Sequence, residues 1–281
     1  MLISTDSTAN LPKHMYKDLN INMIPMQIVL NGETYNDLSD ELNLTDYYQK
    51  MKTGATPTTA QINEYAAKEY FEELLKQGED ILHICFSSAL SGTYNTMVRV
   101  ANELNETSKN KIVVIDSLNA CMGEGLLVIK AAEMRDDGKN IDEIETEIKN
   151  LIPKVCSYFT VEQLKYLVRG GRVSKLSGIV GSVLNIKPIL RVDDNGKLVS
   201  CKKIITRKKA INELANIVTN KIADKNYIYI CHTVCEEEAN KLANQLKETL
   251  GVSPVITDLT QVIGCHTGPG LLAVFFFGNK Y

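Results

Sequence analysis

The sequence predicts an α/β fold whose character changes near residues 150–160, and three observations predict it. Short apolar runs alternate with helical patterns through the first half. A polar turn flanked by two strand-like runs marks an antiparallel hairpin in the second half. The 281 residues, 44% hydrophobic and 23% charged, can bury a sizeable core and are long enough for two modest units.

Leu2–Ser4, Met23–Leu30, Ile81–Phe86 and Ile112–Ile115 are apolar runs bounded by polar or turn residues, the pattern of buried parallel strands. Between them Thr45–Thr53, Asn63–Gln77, Thr93–Asn105 and Gly123–Asp136 carry apolar residues at spacings of three and four, with Gly78 and Gly138 as stop signals. A helix over Ile141–Leu151 ends at Pro153. Cys156–Thr160 follows as a strand, Gln163–Val168 as a short helix and Arg169-Gly-Gly-Arg172 as a loop. Lys187–Val192 and Lys197–Ile204 flank Asp193-Asp194-Asn195-Gly196, where Asn-Gly suits a type I′ turn. Arg207–Ala223 and Cys235–Leu250 read as helices, and Tyr227–Cys231, Pro254–Ile256 and Leu271–Phe277 as strands. The expected division is 1–155 and 156–281, with the final strands free to cross back.

Net charge is −3, from 31 basic and 34 acidic residues, so no electrostatic footprint for nucleic acid or an anionic membrane is present. Seven cysteines, odd in number and without a C-x-x-C pair, suit a reducing compartment. Cys231, His232 and Cys235 lack the further ligands a zinc site needs, so no metal is expected. The start of the chain lacks a secretory signal, and the longest strongly apolar stretch, Leu271–Phe277, is far short of a bilayer span. The expected location is the cytoplasm.

Three polar clusters follow expected strands, where open α/β sheets keep their ligands. They are Thr5-Asp6-Ser7-Thr8, Ser87-Ser88-Ala89-Leu90-Ser91-Gly92-Thr93-Tyr94 and Gly264-Cys265-His266-Thr267-Gly268-Pro269-Gly270. The second places hydroxyls and N–H groups at a helix start, which favours an anion. In the third, a histidine sits among glycines just before the last strand. Of the other histidines, His14 reads as a surface residue on a helix, His83 as part of a strand and His232 as a strand end. The hydroxyl-rich run Thr53–Gln61 reads by itself as a linker. Gly123-Glu-Gly125 lacks the third glycine of a dinucleotide fingerprint. The residues alone leave an enzyme open, with Ser91 as nucleophile, His266 as base and Asp6 or Asp116 orienting it. The G-x-S-x-G elbow, the Walker loop and a metal set that would support one are missing from the sequence.

Together the clusters resemble the DegV family of bacterial fatty-acid-binding proteins. The likeness runs through Thr-Asp-Ser-Thr at 5–8, Ile24-Pro25, Tyr35-Asn-Asp37, Thr59-Ala-Gln61, Ser87 to Tyr94, Arg169 to Arg172, Lys187-Pro188 and His266-Thr-Gly-Pro-Gly270. The Ser-Ser-x-Leu-Ser-Gly-Thr-Tyr and His-Thr-Gly-x-Gly pair, in this order, is its specific part. The resemblance implies two α/β domains, a parallel-sheet N-terminal one and a mixed-sheet C-terminal one, with one long-chain fatty acid such as palmitate between them and no cofactor. It implies a carboxylate held by Thr59 and Ser91 with His266 close by, and Thr58, Gly92 and Thr267 as neighbouring donors. Some members are binding subunits that present the acid to a separate ATP-dependent fatty-acid kinase, whose acyl-phosphate product feeds phospholipid synthesis. That role would make Arg172 and Arg207 candidate kinase contacts in a carrier that is not itself an enzyme. Two positions depart from the family pattern. Ala60 replaces a serine, and Ile205-Thr206 stands where kinase-linked members carry Arg-Thr.

Overall fold

The computed structural model of the protein describes residues 1–173 and 186–279. In chain order the first half holds β1 (Leu2–Asp6), α1 (Lys13–Asp18), β2 (Ile21–Ile24), β3 (Gln27–Leu30), β4 (Glu33–Asn36), α2 (Leu44–Lys52), β5 (Thr58–Ala60), α3 (Glu64–Leu75), β6 (Ile81–Cys85), α4 (Thr93–Asn105), β7 (Ile112–Asp116), α5 (Met122–Asp136) and α6 (Ile141–Leu151). The second half continues with β8 (Val155–Thr160), α7 (Lys165–Arg169), β9 (Ile189–Val192), β10 (Leu198–Lys202), α8 (Arg207–Lys221), β11 (Ile222–His232), α9 (Glu236–Leu250), β12 (Val255–Asp258), α10 (Gln261–Thr267) and β13 (Leu272–Gly278).

The first sheet has the order β2-β1-β6-β7 and is parallel throughout. The second has the order β10-β9-β8-β13-β11-β12 and is antiparallel except for the β11–β12 pair, hence mixed. Helix α5 lies between the two sheets and packs on β1 and β6 of one and on β8, β11 and β13 of the other. Strand alternation divides β13 accordingly. Ala273, Phe275 and Phe277 join the core around α5, while Leu272, Val274 and Phe276 join the core under α8 and α9. Because α5 is covered on both sides, its residues from Met122 to Ile129 are all buried. The amphipathic stripe expected over Gly123–Asp136 is therefore a buried helix with only its last turns in water.

The run Met23–Leu30 is two strands rather than one parallel strand. Pro25 lacks an N–H and interrupts the ladder, so β2 stays in the parallel sheet while β3 pairs antiparallel with β4 and β5 in a separate three-stranded sheet. The β3–β4 connection is Asn31-Gly32, both left-handed at φ 55° and 86°, which is the type I′ geometry. The turn at 193–196 is not of that type, since of Asn195 and Gly196 only Gly196 has a positive φ, 72°. There Asp193 Oδ1 accepts the N–H groups of Asn195 and Lys197, 3.0 and 2.9 Å away, and closes the loop as an Asx turn. The run expected to be a linker, Thr53–Gln61, contains β5. The expected glycine-rich turn around His266 is mostly the helix α10.

Helix α10 lies in sequence between β12 and β13 of the second sheet and docks on the first half of the chain. Asp37 Oδ1 accepts the Val262 N–H at 3.2 Å and so caps its first turn. Burial raises the Asp37 carboxyl to about 6 despite that bond. Tyr47 and Tyr48 donate to backbone carbonyls of Gln261 and of Leu259 and Thr260. A side chain at Gly264 would overlap the Tyr48 hydroxyl, so this glycine sets how closely α10 can approach α2.

Candidate functional site

Between the two sheets lies a cavity of about 330 Å³. Its wall is largely aliphatic and aromatic, with Met26, Phe86, Leu167, Val192, Leu198, Leu259, Ile263 and Phe275 among the lining residues. Polar side chains also line it: Thr59, Gln61, Ser91, Arg172, His266 and Thr267.

These polar residues come from four segments, and the fold connects them. β5 presents Thr59, whose Oγ1 lies 2.9 Å from Nε2 of His266 in the last turn of α10. Ser91 precedes the start of α4, with its Oγ 3.0 Å from Thr93 Oγ1 and accepting the Thr93 N–H at 3.2 Å. Gly92 is the cap residue of α4, and a β-carbon there would overlap the Gln61 amide. Arg172 donates from Nε to Leu90 O at 3.2 Å and from Nη1 to Gly170 O at 2.6 Å, so the guanidinium spans the loop that carries Ser91 and the loop after α7. Thr267 is buried and donates to Ile263 O at 3.3 Å.

His266 is held uncharged. Burial, reinforced by the Arg172 and Arg169 guanidinium groups, lowers its pKa to about 4. Its Nδ1 is buried without a hydrogen-bond partner and faces Gly170, where a β-carbon would collide with it. The ring thus touches the cavity as a neutral imidazole, one nitrogen engaged by Thr59.

Thr58 does not join this group: it is exposed and outside the cavity lining, because neighbouring strand residues face opposite ways. Arg207 lies at the start of α8, with Nη2 2.7 Å from Glu238 Oε2, and does not line the cavity. The neighbouring Ile205 is exposed. Gln61 and Ser157 also line the cavity and were not among the site candidates, although the position of Gln61 two residues after Thr59, on the same side of an extended segment, is a legible signal.

The first polar cluster is of another kind. Asp6 is wholly buried and accepts the N–H groups of Thr8 at 2.9 Å and Phe86 at 3.0 Å. Thr8 Oγ1 bridges Asp6 and Glu124, the latter at 3.0 Å. Thr5 Oγ1 lies 2.8 Å from Ile84 O and 2.9 Å from Glu124 Oε1. A hydroxyl has one hydrogen, and with the Ile84 carbonyl receiving it the second contact needs a proton on Glu124. Burial, aided by the charge of Asp6, raises the Glu124 carboxyl well above its usual range in keeping with this. Asp116 in turn accepts the N–H groups of Ser88 and Leu118. Neither Asp6 nor Asp116 is hydrogen bonded to His266, so the serine–histidine–aspartate relay considered above is not assembled.

No helix among the described residues is long and apolar enough to cross a membrane. The profile of the DegV family matches residues 1–279. A DegV domain-containing protein of Clostridium perfringens is 43% identical over 283 aligned positions, covering 99% of this chain and 97% of that protein. A solved structure described as a fatty acid binding DegV family protein from Streptococcus agalactiae superimposes with a TM-score of 0.89 at 30% identity, over 99% of this chain and 98% of that one. Another, described as DegV, a fatty acid binding protein from Bacillus subtilis, gives 0.85 at 31% identity, over 99% and 98%. The sequence motifs, the paired sheets around α5 and these likenesses lead to one conclusion: the chain belongs to the DegV family.

Proposed function

We propose that this protein binds one long-chain fatty acid, its tail in the cavity between the sheets and its carboxylate among Thr59, Ser91, the Gly92 N–H, Thr267 and His266. The observation that carries the reading is a largely apolar cavity whose polar lining includes Thr59 hydrogen bonded to His266, with Ser91 and Arg172 beside them. Removing about sixteen methylenes from water, at ~0.8 kcal/mol each, supplies the affinity. The carboxylate cannot be buried unpaired. Hydroxyl and N–H donors hold it, the positive charge of Arg172 offsets its own, and the neutral imidazole of His266 can share a proton with it. This arrangement supports binding and orientation of the acid, in keeping with a carrier.

In the same reading, units 1–155 and 156–281 enclose the acid, and the protein presents it in the cytoplasm to a separate ATP-dependent fatty-acid kinase for phospholipid synthesis. Arg172 and Arg207 are the candidate contacts with that partner. Native mass spectrometry of freshly purified protein tests the first half: one long-chain fatty acid per chain is expected, and an empty cavity that refuses added palmitate sinks it. Mixing the loaded protein with such a kinase and ATP tests the second, and no acyl-phosphate above the kinase-only control would remove the partnership.

A further inference from the structure

Cys121 and Cys231 come together although 110 residues separate them, with their Sγ atoms 3.6 Å apart. Cys121 caps the start of α5 and lines the cavity. Cys231 lies near the end of β11 in the second sheet. Cys121 is 3% exposed and Cys231 0%, so outer solvent does not reach the pair freely, and the cavity wall is the side from which Cys121 can be approached.

We propose that Cys121 and Cys231 form a reversible disulfide with a peroxide as oxidant, and that an acyl chain in the cavity shields them from it. The shielding rests on the fatty-acid reading above; the pairing of the two sulfurs does not. Two thiols at this separation need to close by about 1.5 Å to reach the ~2.05 Å of a disulfide.

The two sulfurs are placed for different tasks. Cys121 faces the cavity and holds a backbone conformation, φ 55° and ψ −147°, that is strained for a residue with a β-carbon. Its position is therefore imposed by the packing around it. Cys231 is behind it, with the Asn10 amide 3.8 Å from its sulfur and the Met122 N–H also directed at it. Cys231 is wholly buried and does not line the cavity, so an oxidant arriving through the cavity meets Cys121 first, and burial also pushes the Cys231 thiol well up. In the first step the Cys121 sulfur attacks one peroxide oxygen, the O–O bond breaks, and the departing hydroxide leaves as water with the thiol proton. In the second the Cys231 sulfur displaces hydroxide from the Cys121 sulfenic acid, the S–S bond forms, and a second water leaves with the Cys231 proton. Two thiols lose two electrons and one hydrogen peroxide gains them.

The test uses full-length protein stripped of lipid, half of it reloaded with palmitate and checked by native mass spectrometry. Both halves receive hydrogen peroxide, are quenched with an alkylating reagent and are digested without reduction. A peptide linking Cys121 to Cys231 is expected in the empty protein, at least tenfold slower in the loaded one and cleaved by dithiothreitol in both. In Cys231→Ser, dimedone should instead trap the sulfenic acid on Cys121. Oxidation of the exposed Cys201 with no linked peptide in empty wild type would overturn the pairing without touching lipid binding. Equal rates in empty and demonstrably loaded protein would overturn the shielding. If palmitate fails to bind at all, the fatty-acid reading falls and the shielding with it, while the linked peptide still decides the pairing.

Discussion

Two hydroxyl-bearing polar clusters, one at the end of β1 and one after β6, differ in what their hydrogen bonds leave over. Around Asp6 and Glu124, threonine hydroxyls and backbone N–H groups meet carboxyl groups of the same chain, and each is buried. Around Ser91 and His266, hydroxyls and a guanidinium line a largely apolar cavity with no carboxylate among its described lining residues, and Asp6 and Asp116 are engaged elsewhere. A closed polar network acts as core, whereas the open one bordering the cavity is where the proposed ligand would supply the missing partner.

That contrast is sharpest in its largest expected effect. Asp6→Ala strands the Phe86 and Thr8 N–H groups in the interior and should cost about 1–3 kcal/mol of stability for each stranded group in urea melts. Glu124→Gln, which keeps an uncharged hydrogen-bonding head, should cost well under half of that. An Asp6→Ala protein that melts like wild type but has lost its lipid would mean the closed cluster belongs to the site.

Ser91→Ala is the corresponding change in the open cluster. It should weaken palmitate binding by about 1–3 kcal/mol, because a buried carboxylate loses a donor, while the lost contact to the Thr93 N–H limits the stability cost to ~1 kcal/mol. Equilibrium binding and melting on the same samples separate the two, and unchanged affinity would remove Ser91 from the carboxylate.

His266 gives a pH signature. In the empty protein its imidazole should titrate near 4, as read by NMR. Because the folded state disfavours its charged form, its contribution to stability is complete above the ordinary value of ~6.5 and is lost as pH falls through about 4. Relative to His266→Gln, wild type should thus lose stability over that window. A fatty-acid carboxylate beside the ring should move the titration upward, and an identical midpoint with and without palmitate would place the headgroup elsewhere.

The smallest effect belongs to Arg207. Its pair with Glu238 is partly exposed, 15% and 29% for the two side chains, so Arg207→Ala should cost no more than ~1 kcal/mol and leave palmitate affinity as it was. A weaker hold on palmitate would connect α8 to the cavity.

Much of this was legible from residues. The helices Thr93–Asn105 and Ile141–Leu151 have the bounds their periodicity implies, and the apolar runs at 81–86 and 112–115 are central and edge strands of a parallel sheet. Short elements were not legible. Helix α10 has seven residues, includes Gly264 and ends before Gly268, so it carries no amphipathic period. It exists because residues distant in sequence hold its start: Asp37 and Tyr47 bind the backbone of its first two residues and Tyr48 that of the two residues before them. β5 was equally silent, since three residues of Thr-Thr-Ala become a strand only when β3 supplies the ladder.

By itself, then, the sequence determined the α/β rhythm, the family and the identity of Thr59, Ser91 and His266 as residues to watch, because apolar period and motif are local properties of the chain. Only the tertiary structure decided that Thr59 meets His266, that Thr58 faces away, that Gln61 and Arg172 border the same cavity and that Cys121 meets Cys231. Those relations hold between segments up to 207 residues apart, and they arise when two sheets close on α5 and leave between them a space that local pattern cannot describe.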